Sequence, residues 1–194
     1  DLSGTFIESY EIAGPGFINL FLFVKYYADI VADVLTKGED YGKSDFGKGE
    51  RVLVEFVSAN PTGPMHIGNA RGGALGDCLA AVLSAAGYYT EREFYINDAG
   101  NQINKFGLSL DLRYQRLYAD GVEMPEDSYY GDDIVAHAKA FAEINGDSYM
   151  SCDEATRRAA LVEFALPKNI QGLKDDLQKY RIEYNTWFKE STLH

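Results

Sequence analysis

The chain has 194 residues, 46% of them hydrophobic, and a formal net charge of −12. That length suits one domain with a sizeable core, or one domain carrying an insertion. The acid excess argues against an overall basic nucleic-acid binder, though it leaves RNA open as a substrate because net charge does not locate patches.

Cys78 and Cys152 lie far apart and offer no metal spacing, which suits a reduced cytoplasmic protein with no metal site of its own. No apolar run approaches the ~18 residues of a membrane helix. The chain opens at Asp1 without a signal peptide, as though in mid-sequence.

In chain order, Thr5-Phe-Ile-Glu-Ser-Tyr-Glu-Ile12 is β-rich, Ala13-Gly-Pro-Gly16 is a turn, and residues 17–24 are a second strand. Two strands alone form a weak unit, so residues 1–37 are expected to close a preceding domain. Within them, Ile30, Val31, Val34 and Leu35 have the spacing of one helical face over 25–37. The Gly-rich, charged residues 38–50 read as a linker.

Residues 51–57 predict a short buried strand. A helix is expected over 69–86, with Leu75, Leu79 and Val82 as its apolar face and Gly87 as its stop. Residues 88–96 are a second core strand, and 101–118 an amphipathic helix. This order predicts an α/β fold with a parallel sheet and right-handed crossovers. Residues 119–167 change character and read as a mostly helical insertion, with helices over 134–144 and 153–166. Residues 168–194 return to the sheet through a helix over 170–180 and a third strand at 184–188. The first half of the catalytic sheet is then 51–118.

Polar and turn-forming residues concentrate at 55–69, between the first core strand and its helix. His66 and Asn69 stand three apart at a helix start, so both can face one ligand there. Free N–H groups and the helix dipole favour an anion at that place, and a phosphate chain is its natural occupant. Gly68 leaves room for a flat ligand, while Pro61 and Pro64 stiffen the approach. The other reading of His66 is a plain helix-start residue. Asn97, Asp98 and Gln102 follow the next strand; they are either a helix cap or the opposite wall of the same crevice. Asp132, Asp133 and the acids of 123–127 read as solvated surface. Tyr129, Tyr130 and Phe141 could stack on RNA, against the local negative charge. His137 and His194 read as partnerless surface residues.

Ser58-Ala-Asn-Pro-Thr-Gly-Pro-Met-His-Ile-Gly-Asn69 resembles the ATP signature of class I aminoacyl-tRNA synthetases, and more narrowly that of the arginyl-tRNA synthetase family. Val54-Glu-Phe-Val57, Ala70-Arg-Gly-Gly73 and Tyr95-Ile-Asn-Asp-Ala-Gly-Asn-Gln102 fit the same family. Gly14-Pro-Gly-Phe-Ile-Asn19 resembles the end of its N-terminal additional domain, and Trp187-Phe-Lys-Glu-Ser191 the strand leading to its second half. The resemblance implies an incomplete Rossmann-like sheet, the first half of a catalytic domain, in an internal fragment inactive alone. It implies ATP, with Mg2+ as counter-ion, L-arginine and tRNA(Arg) as the partners of the full-length protein. His66 and Asn69 would hold and polarise the phosphates as catalytic groups. Ala59, Pro64 and Gly68 would complete the ATP site, and Glu55, Ser58 and Asn60 would grip the amino acid. The family motif usually ends in His; Asn69 keeps a donor without a positive charge. Two alternatives are a small nucleotidyltransferase with a His-x-Gly-His-like loop and a non-catalytic synthetase-like module.

Overall fold

The β-rich start folds back on itself at Gly14-Pro15-Gly16, where both glycines take positive φ (55° and 85°), a conformation that favours glycine. The computed structural model describes residues 2–193, so His194 lies outside the described residues. It divides into two units at Asp45/Phe46. In the first, β1 (Ile7–Ala13) and β2 (Phe17–Leu22) form an antiparallel hairpin, followed by α1 (Val24–Lys37). The stacked rings of Phe6 and Tyr26, 4.6 Å apart, pack the start of α1 against the chain that leads into the hairpin.

The second unit holds a three-stranded sheet in the order β3 (Arg51–Glu55), β4 (Tyr89–Ile96), β5 (Thr186–Lys189), with both pairings parallel. Parallel neighbours need crossovers. The first is α2 (Ile67–Ala85). The second runs through α3 (Asn101–Gln115), α4 (Asp132–Asn145) and α5 (Glu154–Lys179). The expected α/β sheet is therefore present.

Two cores hold this unit. Val54, Phe56, Ala80, Phe94, Ile96, Leu173, Leu177 and Ile182 bury the sheet. Phe106, Leu110, Tyr114, Ile134, Ala138, Phe141, Leu161 and Ala165 bury the three-helix part. Phe141 is thus a core residue, edge-on to Tyr114 and Phe164, and unavailable to stack on RNA.

α5 joins both cores. The sequence predicts two helices broken near Pro167, but one 26-residue helix runs through it. Pro167 removes a single ladder hydrogen bond. The turns before it are fixed by Leu161 and Ala165, and those after it by Leu173 and Leu177, so burial outweighs the lost bond.

α2 packs through the face opposite to the one expected. Leu75, Leu79 and Val82 are 73%, 50% and 65% exposed, whereas Gly73, Gly76 and Ala80 are buried. A Cβ on Gly76 would lie 2.2 Å from Cγ of Phe56. The small residues let the helix backbone sit directly on the sheet, and this close approach sets the height of the helix start above the end of β3.

Candidate functional site

β3 ends in a sharp turn. Val57 and Ser58 both take positive φ (67° and 43°), unusual for any side chain and most of all for a β-branched one. The surroundings hold this conformation in place. Tyr184 donates its hydroxyl hydrogen to the carbonyl of Phe56 (3.1 Å), and the Tyr95 N–H donates to Ser58 Oγ (3.1 Å). Strained backbone held by its neighbours clusters at ligand sites. Beyond the turn Pro61 and Thr62 are buried, and Asn169 of α5 donates to the Pro61 carbonyl (2.9 Å).

The loop then enters α2 through a reciprocal cap. The Gly68 N–H donates to His66 Nδ1 (3.1 Å), and the His66 N–H donates to Asn69 Oδ1 (3.0 Å). Two consequences follow from the inventory of donors. A histidine that accepts at Nδ1 is neutral and carries its hydrogen on Nε2. An asparagine whose Oδ1 is occupied keeps Nδ2 free to donate. The cap therefore orients two N–H donors that its own hydrogen bonds do not use. The helix-cap and phosphate readings of His66 are thus compatible.

These groups line a cleft of ≈ 490 Å³. Of the expected residues, Ser58, Ala59, Asn60, Pro64, His66 and Asn69 border it. Glu55, Gly68, Asn97, Asp98 and Gln102 do not. A Cβ on Gly68 would lie 3.0 Å from the His66 ring, so the missing side chain makes room for that ring.

The far wall is Tyr129 and Gly131, from the segment leading into α4, and Asp133 and Ile134, from its first turn. Asp133, expected on the solvated surface, faces this cleft and is the one charged side chain among the described residues lining it. The Tyr129 hydroxyl donates to Gln102 Oε1 in a short hydrogen bond, which brings Gln102 to the cleft at second hand.

Asn97 and Asp98 do not cap α3, whose N-cap is Gly100. Asp98 accepts from both the N–H and the hydroxyl of Ser191 (2.8 Å each). With its amide turned so that the nitrogen faces the acceptors around it, Asn97 donates to Glu190 Oε2 (2.6 Å) and to the Ala99 carbonyl (2.9 Å). The pair ties the end of β4 to the segment after β5. Burial pushes the Tyr95 phenol up, and the carboxylates of Glu190, Asp98 and Glu55 push it further the same way. Three carboxylates, Glu55, Asp98 and Glu190, thus act on Tyr95 near the carboxyl ends of the strands.

His137, expected to lack a partner, has one: its Nε2 lies 2.7 Å from Asn169 Oδ1. Tyr129, marked in the sequence only for stacking on RNA, lines the cleft instead; the sequence carried no signal for the pairing of His137 with Asn169, which arises only where α4 packs on α5. No group of three or more His, Cys, Asp or Glu residues poised to hold a metal occurs among the described residues.

The chain is similar to known proteins in sequence and in fold. The family "tRNA synthetases class I (R), catalytic domain" matches residues 30–126, half of the chain. The arginine–tRNA ligase of Acetivibrio thermocellus is 55% identical over 100% of this chain and 35% of its own length. That of Caldanaerobacter subterraneus is 56% identical over 99% and 34%. The chain thus spans about a third of the length of these relatives. A crystal structure from Campylobacter jejuni, described provisionally as an arginyl-tRNA synthetase, superposes with a TM-score of 0.76 at 34% identity, covering 89% of this chain and 38% of that one. The cleft, the loop that builds it and these matches lead to one conclusion: this chain belongs to the class I (R) tRNA synthetase catalytic-domain family.

Proposed function

We propose that the whole protein activates L-arginine with ATP and transfers it to tRNA(Arg), and that this chain carries the first part of the site. The observation that carries the reading is the reciprocal cap, which leaves His66 Nε2 and Asn69 Nδ2 as donors at the edge of the cleft. An arginine carboxylate oxygen would attack the α-phosphorus of ATP. The bond to the bridging oxygen breaks and pyrophosphate leaves. Negative charge that grows on phosphate oxygens meets donors already fixed in place, which is the main way a protein assists such a displacement. A hydroxyl at the 3′ end of the tRNA then attacks the arginyl carbonyl, takes the arginyl group and releases AMP.

In this reading Ala59, Pro64 and Gly68 shape the ATP site around those donors. Ser58 and Asn60 lie next to it, and Glu55 stands at the end of β3, a place suited to pairing with the arginine α-ammonium. The carboxylates near the strand ends suit a cationic amino acid. Asn97, Asp98 and Gln102 support the crevice by holding β5 and Tyr129. Mg2+ would accompany ATP on its phosphates; Asp133 alone does not amount to a protein site for it. Residues 1–37 would close an additional N-terminal domain, and 119–167 would be an insertion framing the far wall. A cytoplasmic location belongs to the same reading; no described helix is long and apolar enough to cross a membrane.

The test is His66→Ala in the full-length protein. Arginine-dependent exchange of pyrophosphate into ATP should fall about a hundredfold. Exchange at the wild-type rate would remove His66 from the mechanism.

A further inference from the structure

We propose that Asn169 is a positioning residue for the 58–69 loop and that His137 fixes its orientation. This rests on the adenylate-forming reading above only for its effect on rate; the geometry stands by itself.

Pro61 sits at the middle of the loop and is fully buried. It has no N–H, and its carbonyl belongs to neither a helix nor a strand. Among the described residues, Asn169 Nδ2 is the donor that reaches that carbonyl, at 2.9 Å and across 108 residues of sequence. A buried carbonyl without a donor is strongly disfavoured, so this contact selects one path for the loop. Asn60 precedes Pro61, and Thr62, Gly63 and Pro64 follow it; all four line the cleft. Asn169 therefore holds from behind the segment whose front forms the site.

An amide can rotate by half a turn and present its oxygen instead. His137 opposes this. Its Nε2 lies 2.7 Å from Asn169 Oδ1, and an oxygen acceptor requires that this nitrogen carry hydrogen. With the oxygen engaged, Nδ2 is directed at Pro61. His137 is on α4 and Asn169 on α5, helices locked together by Ile134, Ala138, Leu161 and Ala165. One turn before His137, Asp133 and Ile134 reach the cleft. A single rigid helix pair thus sets the far wall and the path of the near wall. Their spacing is then fixed by one relay, His137–Asn169–Pro61.

The experiment uses the full-length protein with Asn169→Leu, Asn169→Asp, His137→Leu and His137→Gln. The first readout is hydrogen–deuterium exchange of peptides covering 58–66, which needs no activity. Asn169→Leu and Asn169→Asp should speed exchange there about tenfold or more, with β3 and β4 unchanged, because a local opening is released rather than the whole fold. Asn169→Asp keeps the shape and an acceptor for His137 but turns the donor to Pro61 into a second, charged acceptor, so it breaks the contact without emptying the space. His137→Gln, which can still donate, should stay near wild type, while His137→Leu should fall between. The second readout is arginine-dependent exchange of pyrophosphate. Here kcat should drop about tenfold in both Asn169 variants while KM for ATP stays within about twofold. Unaltered loop exchange in Asn169→Asp would overturn the proposal. Should Asn169→Leu fail to fold, Asn169→Asp and the His137 pair still decide. If the wild-type protein shows no arginine-dependent activity, the adenylation reading fails and the hydrogen-exchange result alone judges the relay.

Discussion

Asn69 accepts a hydrogen bond from the His66 backbone N–H at 3.0 Å, while the His66 ring turns back to accept from Gly68. The acceptors of this pair close the start of α2, and its ring and amide donors take no part in the cap; in the proposed function those donors serve the phosphates. Substitutions that separate acceptor from donor can therefore separate stability from activation.

Asn69→Asp keeps an acceptor for the His66 N–H and adds a negative charge at a helix N-terminus, which is favourable. Thermal stability should hold or rise. The variant has no donor and repels phosphate, so arginine-dependent exchange should fall further than in Asn69→Ala. Asn69→Ala should lose about 1 kcal/mol of stability with its half of the cap. Asn69→His restores the usual family residue and should stay within about tenfold of wild type in activation. Paired melting curves and exchange rates check all three. Full activity in Asn69→Asp would mean that Asn69 serves only the helix.

Gly76→Ala tests the seating of α2. The added Cβ would meet the Phe56 ring at 2.2 to 2.5 Å, so the helix must lift or the ring must move. Overpacking of this kind costs about 1–3 kcal/mol. Because α2 carries His66 at its start, activation should suffer as well. Gly72→Ala on the same helix meets nothing within 4 Å and serves as the control, with stability equal or slightly raised. Denaturant unfolding of both variants gives the comparison.

Ser191→Ala tests the tie between β4 and the segment after β5. It removes the hydroxyl hydrogen bond to Asp98 and leaves the backbone one. Asp98→Ala removes both. Losses of about 1 and 2 kcal/mol are expected on unfolding, the larger reflecting two bonds to a charged acceptor. Equal losses would mean that the hydroxyl carries the tie by itself.

Asp153 predicts a pH effect. It caps α5 by accepting from the N–H and hydroxyl of Thr156 (2.9 and 2.8 Å), and these bonds lower its pKa below the ordinary 3.8. A lowered folded-state pKa adds stability above pH 3.8, and that stability is lost as pH falls through the folded value. Asp153→Asn keeps the cap without the titration. Its melting temperature should therefore depend less on pH in acid than that of wild type, with the two nearest to each other at the lowest pH. Identical acid profiles would show that the cap charge contributes nothing.

The signature loop and the order of strands and helices were legible because each rests on local chemistry: turn formers, caps and short apolar runs. The residues that failed to announce themselves depend on tertiary packing. Leu75, Leu79 and Val82 have perfect helical spacing, yet the sheet takes the glycine face, since only small residues let α2 come down onto Phe56. Pro167 looks like a break and is spanned because two cores grip α5 on either side of it. Asp133 and His137 look like plain surface residues until α4 is placed against the loop and α5.

The most direct test of the central claim is ATP–pyrophosphate exchange by the full-length protein, in the presence of tRNA(Arg), across a panel of single amino acids. Exchange with arginine should greatly exceed exchange with lysine or any other amino acid, and His66→Ala should lose about a hundredfold of it. Exchange driven by a different amino acid, or none with any amino acid while the protein is folded, would contradict the claim.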